Sequence, residues 1–231
     1  MFDYFFRPGV LVRQRGSMHH DDVICPQAFG RNTWTDEEVA GKLSDLFQEG
    51  PAAWQKLDDL ARFRKLESVG FDPGEVNRQL AKYCYELSYR DNTLPQTIVG
   101  QWEVLYAVYQ INPLWYINIW CNHHAIWPPV DGNYLSTRGL LEEVFEKISS
   151  RKRVRLVAQS VHLARCVRLA DKIFGQERVV VPGSSLPLYD WQSVQPWTRD
   201  QASFFTYEKK ARALEELPGF LRNIIRKVIQ K

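Results

Sequence analysis

Arg151-Lys-Arg-Val-Arg-Leu-Val-Ala-Gln-Ser-Val-His-Leu-Ala-Arg-Cys-Val-Arg-Leu-Ala-Asp-Lys-Ile-Phe174 reads as a buried strand that turns directly into a helix. Val154, Leu156, Val157 and Ala158 form a short, nearly continuous apolar run, the pattern of a parallel strand covered on both faces. Cys166, Val167, Ala170, Ile173 and Phe174 recur at helical spacing, and Gly175 supplies the stop. Gln159 and Ser160 lie in the turn between, with Ser160 as the expected N-cap. His162 and Arg165 follow on one side of the first helical turn, where the dipole is positive and backbone N–H groups lack helical partners. An imidazole, a guanidinium and free amides at a strand's carboxyl end suit an anionic or carboxylate-bearing ligand. A capping histidine beside solvated arginines is the competing reading of the same residues.

Working outward, the chain alternates strands and helices. Asp22-Val-Ile-Cys-Pro-Gln-Ala-Phe-Gly30 is expected to be the first core strand and its terminal loop, presenting Gln27, Gly30, Arg31 and Asn32 to a ligand. The three spaced glycines of a dinucleotide fingerprint are absent. Thr35 through Glu38 forms a capping box, and a helix with Val39, Leu43, Leu46 and Phe47 inward should follow. Residues from 51 to about 93 break the alternation with a helical insert. Trp54, Leu57, Leu60, Ala61 and Arg64 suggest one amphipathic helix, and Val76, Leu80, Tyr83, Cys84 and Leu87 a second beyond the turn Phe71-Asp-Pro-Gly74. Such an insert either caps a cleft or packs on the sheet's flank.

Thr97-Ile-Val99 is a short strand leading into Gln101-Trp102-Glu103 and a helix with Leu105, Tyr106, Val108 and Tyr109 inward, ended by Asn112-Pro113. Trp115-Tyr-Ile-Asn-Ile-Trp120 alternates as a third strand, with Cys121-Asn122-His123-His124 at its carboxyl end. Ser136-Thr137 opens a helix with Leu140, Leu141, Val144, Phe145 and Ile148 inward. Arg178-Val-Val-Val-Pro182 is the fifth strand. In the loop beyond it, Tyr189, Trp191, Trp197 and Arg199 are expected to wall or cover the crevice, or else to anchor the C-terminal helices.

Five strands separated by helices, with few hairpin signals, imply an α/β fold: a doubly wound, mainly parallel five-stranded Rossmann-like sheet of order 3-2-1-4-5 with a helical insertion. The topological switch then falls between strands 1 and 4, with Gln27 and His162 on one crevice. Residues 1–20 form an N-terminal arm, 21–200 the domain, and 201–231 C-terminal helices.

Composition limits the function classes. A 45% hydrophobic and 25% charged chain of 231 residues is globular, and a net charge of +3 is too small to imply nucleic acid. Aromatic content of 13% is high enough that some rings are expected to line a cleft. No apolar run reaches the roughly twenty residues needed to span a bilayer, and Met1-Phe-Asp-Tyr-Phe-Phe-Arg-Pro is too short and interrupted for a signal peptide. Cys25, Cys84, Cys121 and Cys166 lack paired spacing, so they read as reduced thiols of a cytoplasmic protein.

No Walker loop, nucleophile elbow or zinc motif assigns a reaction. Cys25 and Cys121 could act as nucleophiles near His123 or His124, but their strand positions favour inert thiols. His19-His20-Asp21-Asp22 reads as a polar turn, and nothing forces His123, His124, His162 and Glu103 to converge, so no metal is assigned. The basic run Arg151-Lys-Arg-Val-Arg155 reads as a solvated edge. Gly219-Phe-Leu-Arg-Asn-Ile-Ile-Arg-Lys-Val-Ile-Gln-Lys231 is amphipathic and basic, with docking on the domain or on the partner subunit of a homodimer favoured over a peripheral membrane contact.

Two function classes follow. In one, the crevice is an active site for a nucleotide-like or anionic metabolite, with His162 as acid/base, Arg165 as anion clamp, and Glu103 or Asp131 as a second acid/base group. In the other, the crevice binds a small molecule without chemistry.

Four segments carry a resemblance to a known family: Gln101-Trp-Glu, Asn133-Tyr-Leu-Ser-Thr-Arg138, Ser160-Val-His-Leu-Ala-Arg165 and Tyr189-Asp-Trp-Gln-Ser-Val-Gln-Pro-Trp-Thr-Arg199. They resemble the YdcF-like family, a domain of unknown function that includes SanA- and ElyC-type envelope proteins. The central motif is a strand ending in Ser or Thr, then a His and an Arg three residues later, here His162 and Arg165. Ser136-Thr137 resembles the family's Asn-Thr helix start. The resemblance implies a Rossmann-like fold, S-adenosylmethionine as one candidate ligand, and a link to cell-envelope processes. Ligand contacts are thus expected from Gln27, Gly30, Asn32, Gln101, Ser136, Thr137, Gln159, Ser160, Arg165 and Arg199, and chemistry from His162 and Glu103.

Overall fold

In a computed structural model of the chain, residues 22–28, 51–89, 96–117, 123–127, 136–158 and 160–181 are described. They form an α/β arrangement of short parallel strands with helices on both faces. The strands are β1 (Val23–Gln27), β2 (Val99–Gln101), β3 (His124–Ile126), β4 (Val154–Ala158) and β5 (Val179–Val180). The helices are α1 (Pro51–Lys56), α2 (Asp59–Ser68), α3 (Glu75–Tyr89), α4 (Trp102–Ile111), α5 (Pro113–Tyr116), α6 (Thr137–Lys147) and α7 (Ser160–Phe174).

β1, β4 and β5 make one parallel sheet, with Gln27 beside Ala158 and Val154 beside Val179, while β2 and β3 make a second. The expected adjacency of the first and fourth strands is therefore present. The two sheets meet at a single parallel bridge, Ile24 to Ile98, where the Ile24 amide donates to Thr97 O at 3.0 Å. Pro26 explains why the ladder stops there. Strand amides alternate in direction: Val23 donates toward β4, at Arg153 O, and Ile24 toward β2. Residue 26 should also donate toward β2, but proline has no N–H. Gly100 faces this point, and a Cβ there would lie 2.6 Å from Pro26 O.

Two apolar clusters fill the two faces. Val23, Cys25, Val99, Ile126, Leu156 and Ala158 pack with Leu140, Leu141 and Val144 of α6 and with Leu163, Cys166, Val167, Ala170 and Phe174 of α7. Ile24, Ile98, Ala125 and Val157 face the other cluster, which holds α2, α3 and α4. The helical insert therefore packs on the flank: α3 lies against α4, β1 and β4. Phe63 of α2 is its aromatic hub, with Tyr106, Tyr109, Tyr116 and Trp127 rings at 5.6, 5.5, 5.2 and 5.6 Å. Trp54, Trp102 and Trp115 are buried in the same cluster, so these aromatics serve the core rather than a cleft wall. Fully burying each such ring contributes roughly 1.5–3 kcal/mol.

Several expectations are corrected. Trp115 and Tyr116 are helical, and the third strand is His124–Ile126. Asn112 starts a new helix as well as ending α4: its Oδ1 accepts from the Trp115 amide at 3.0 Å and Pro113 fills the first helical position. His123 and His124 consequently lie at the amino end of β3, not at a carboxyl end. The single helix expected around Trp54–Arg64 is two, because Asp58 caps α2 by accepting from the Ala61 amide at 2.7 Å. Arg64 and Phe145 are exposed, and Phe145 packs at the surface against Phe174.

The basic run is not wholly a solvated edge. Arg153 grips buried Asp22 through Nε at 2.9 Å and through a terminal nitrogen at 3.0 Å, and fully buried Arg155 reaches it at 3.3 Å. Charges this deep persist only when paired, which ties β1 to β4 at their amino ends.

Candidate functional site

The carboxyl ends of the strands collect buried polar side chains. Gln27 ends β1, Gln101 ends β2, Glu103 sits in the first turn of α4, Thr137 opens α6 and His162 lies in the first turn of α7, all buried. Strand alternation explains part of this. Gln27 shares the face of Val23 and Cys25, and Gln101 shares that of Val99; both faces are covered by α6 and α7. One edge of that apolar layer is therefore capped by a polar one.

Each side chain has a definable position. Gln101 Oε1 accepts from the Ala28 amide at 2.7 Å, across 73 residues of sequence. Gln27 Nε2 donates to Cys25 Sγ at 3.3 Å. Thr137 Oγ1 lies 3.3 Å from His162 Nε2, which joins the starts of α6 and α7. Ser136 is exposed and caps α6, its Oγ accepting from the Gly139 amide at 3.1 Å. Arg165 is half-buried one turn beyond His162. A carboxylate at Glu103 sits where the helix dipole favours negative charge.

Burial, and then the positive charge of Arg165, lower the His162 pKa to about 3, so the imidazole is neutral at physiological pH. Neutral imidazole both donates and accepts, and the Thr137 hydroxyl can supply either complement. Burial likewise pushes the Cys25 thiol up to about 12 and the Cys84 and Cys166 thiols well above their ordinary value, which makes all three poor nucleophiles. These three cysteines are buried and free.

The expected site residues thus divide. Gln27, Gln101, Glu103, Thr137 and His162 gather at the carboxyl ends, with Arg165 on the same helix as His162. Ser160 is the first residue of α7, one position past the expected cap. Gly30, Arg31, Asn32, Asp131, Gln159 and Arg199 lie outside the described residues, as do Tyr189, Trp191 and Trp197, Cys121, His19 and His20, the Thr35 capping box and the C-terminal amphipathic segment. Among the described residues, no three His, Cys, Asp or Glu side chains are placed to hold a metal ion, and no helix is long and apolar enough to cross a membrane.

Asp59 escapes a sequence reading. Its carboxylate accepts from the Ala125 amide at 2.8 Å and from Trp127 Nε1 at 2.7 Å, so α2 holds the β3 edge in place. Arg62 covers the Trp127 ring at 5.0 Å from the same helix. Nothing local to the adjacent Asp58-Asp59 pair announces a partner 66 residues away.

No family model matches this chain, and neither a curated protein nor a solved structure matches it.

Proposed function

We propose that this protein binds a small nucleotide-like or anionic metabolite at the strand carboxyl ends and acts on it there. The observation that carries the reading is that Gln27, Gln101, Thr137 and His162, all buried, sit at the carboxyl end of an otherwise apolar layer, with buried Glu103 in the first turn of the helix that follows β2. Open α/β sheets bind ligands at this edge, beside a topological switch point. In this reading the strands act as one five-stranded parallel sheet of order β3-β2-β1-β4-β5. The Ile24–Ile98 bridge supports that order, and Pro26 accounts for its weak seam.

Arg165 is the anion clamp. An anion beside it would offset the positive charge that helps hold the His162 pKa near 3, drawing the imidazole back toward its ordinary range. Burial, the larger cause, still favours the neutral ring, so His162 would act as an acid/base group from its neutral form, with Glu103 as the second. The resemblance to the YdcF-like family supports the fold and adds S-adenosylmethionine to the ligands worth testing.

The alternative is a non-catalytic ligand-binding or scaffold protein, linked by the same resemblance to cell-envelope processes. It is favoured by the polar groups that satisfy one another within the protein, Gln101 with Ala28 and Thr137 with His162. A thermal-shift screen of nucleotides, S-adenosylmethionine and inorganic phosphate tests the proposal. A rise in melting temperature that Arg165→Ala abolishes supports it; no rise with any of these ligands overturns it.

A further inference from the structure

Gln27 is fully buried at the last position of β1, beside Ala158. A carboxamide can accept two hydrogen bonds and donate two. Here Nε2 donates to Cys25 Sγ at 3.3 Å, and Oε1 has no partner. Sulfur is a weak acceptor, so the residue's strongest acceptor is unused and its one bond is poor.

Exchanging the amide oxygen and nitrogen does not remove the mismatch. The Cys25 thiol, kept protonated by burial, would donate to Oε1, and the NH2 group would be the buried group without a partner. Gln101 ends β2 in the same layer and differs in this respect, since it closes the Ala28 amide. An apolar side chain at 27 would continue the face of Val23 and Cys25 without burying an unmatched amide. The carboxamide is therefore poorly explained by folding and well suited to recognition.

We infer that Gln27 selects the ligand of this crevice by reading an edge on which an N–H donor lies beside an acceptor, as on the amino edge of adenine. The inference rests on the proposed function and narrows its ligand class. A planar carboxamide matches such an edge with two parallel hydrogen bonds, its oxygen accepting from the amino group and its NH2 donating to the ring nitrogen. The edge in question is the one that carries N7: there adenine sets its amino donor beside the N7 acceptor, whereas hypoxanthine sets two acceptors, its carbonyl oxygen and N7, which neither orientation of the carboxamide can pair together. Because Gln27 is enclosed, the mispaired groups would be cut off from water, and discrimination should be large.

The test is calorimetric titration of the full chain with adenosine monophosphate and with inosine monophosphate. Wild-type protein is expected to prefer the adenosine form by on the order of ten- to a hundredfold. Gln27→Met preserves length without hydrogen-bonding groups. It should bind both nucleotides with similar, weaker affinity while its ligand-free melting temperature is unchanged or raised. Equal wild-type affinities would overturn the selection and assign the carboxamide to an internal water, leaving the site itself intact. Binding of neither nucleotide would overturn the inference, while a response of wild-type protein to another anion in the thermal-shift screen would still uphold the crevice. Should Gln27→Met not fold, the wild-type comparison alone decides the inference.

Discussion

Gln101 completes what Pro26 interrupts. Its Oε1 accepts from the Ala28 amide at 2.7 Å, at the next position where β1 turns an N–H toward β2. A side chain thereby substitutes for a backbone ladder across the junction of the two sheets. Gln101→Leu should leave a buried amide without an acceptor, costing roughly 1–3 kcal/mol. Urea unfolding would measure this as a lower midpoint with an unchanged slope.

Gly100 permits the close approach of the same two strands. An added Cβ would meet Pro26 O at 2.6 Å and its ring carbons at 2.7 and 2.8 Å, none of them free to swing away. Gly100→Ala is expected to destabilise by about 2–3 kcal/mol, as overpacking of a closed interior does. The same equilibrium unfolding experiment checks it, and a neutral result would mean the strands separate more readily than their packing suggests.

Asp59 anchors β3 from outside the sheet. Asp59→Ala removes the acceptor of both the Ala125 amide and Trp127 Nε1. A loss of about 3 kcal/mol is expected, because bonds to a charged acceptor are strong and both donors are partly enclosed. Asp59→Asn should recover part of it. The fluorescence of Trp127, isolated by difference from a Trp127→Phe variant, would report release of the ring.

Acid should destabilise the fold through two histidines. Burial lowers His162 and His123 each to about 3, with Arg165 and His124 as the respective secondary causes. The unfolded chain protonates near the ordinary value of about 6.5, so it binds protons that the native state refuses. The stabilisation from each neutral ring is complete above about pH 6.5 and is lost as pH falls toward 3. Each group removes about 1.4 kcal/mol per pH unit across that window. His162→Gln should remove its own share of the slope between roughly pH 6 and 4, about 1.4 kcal/mol per pH unit, as read from urea midpoints.

The sequence was most legible where burial dominates. Val154–Ala158 and Val23–Gln27 are continuous enough to read as central strands, and they pair in parallel as expected. Trp115–Trp120 misled because it alternates as a strand does, whereas Asn112-Pro113 supplies both a cap and a first-turn proline for Trp115 and Tyr116. His124–Ile126 is three residues long, and its placement depends on Asp59 and β2 rather than on local pattern. At the candidate site, residue types were visible but partners were not. His162 and Arg165 stood out by spacing, yet the contact of His162 with Thr137 and the closure of Ala28 by Gln101 arise only when distant elements meet. Arg155 was misjudged because it closes a run of basic residues that begins with exposed Arg151, while its partner, Asp22, lies 133 residues away.

The central claim is that ligand binds at the carboxyl ends of the strands. Titrating isotope-labelled protein with whichever of the screened nucleotides, S-adenosylmethionine or inorganic phosphate raises its melting temperature, and following 15N–1H resonances, tests it most directly. Side-chain carboxamides of Gln27 and Gln101 give their own signals, separate from the Ala28, Thr137 and His162 amides. The expected result is saturable shifts at these five residues, with the amino-end cluster of Asp22, Arg153 and Arg155 undisturbed. Shifts confined to that opposite end, or none at any of the five, would contradict the claim.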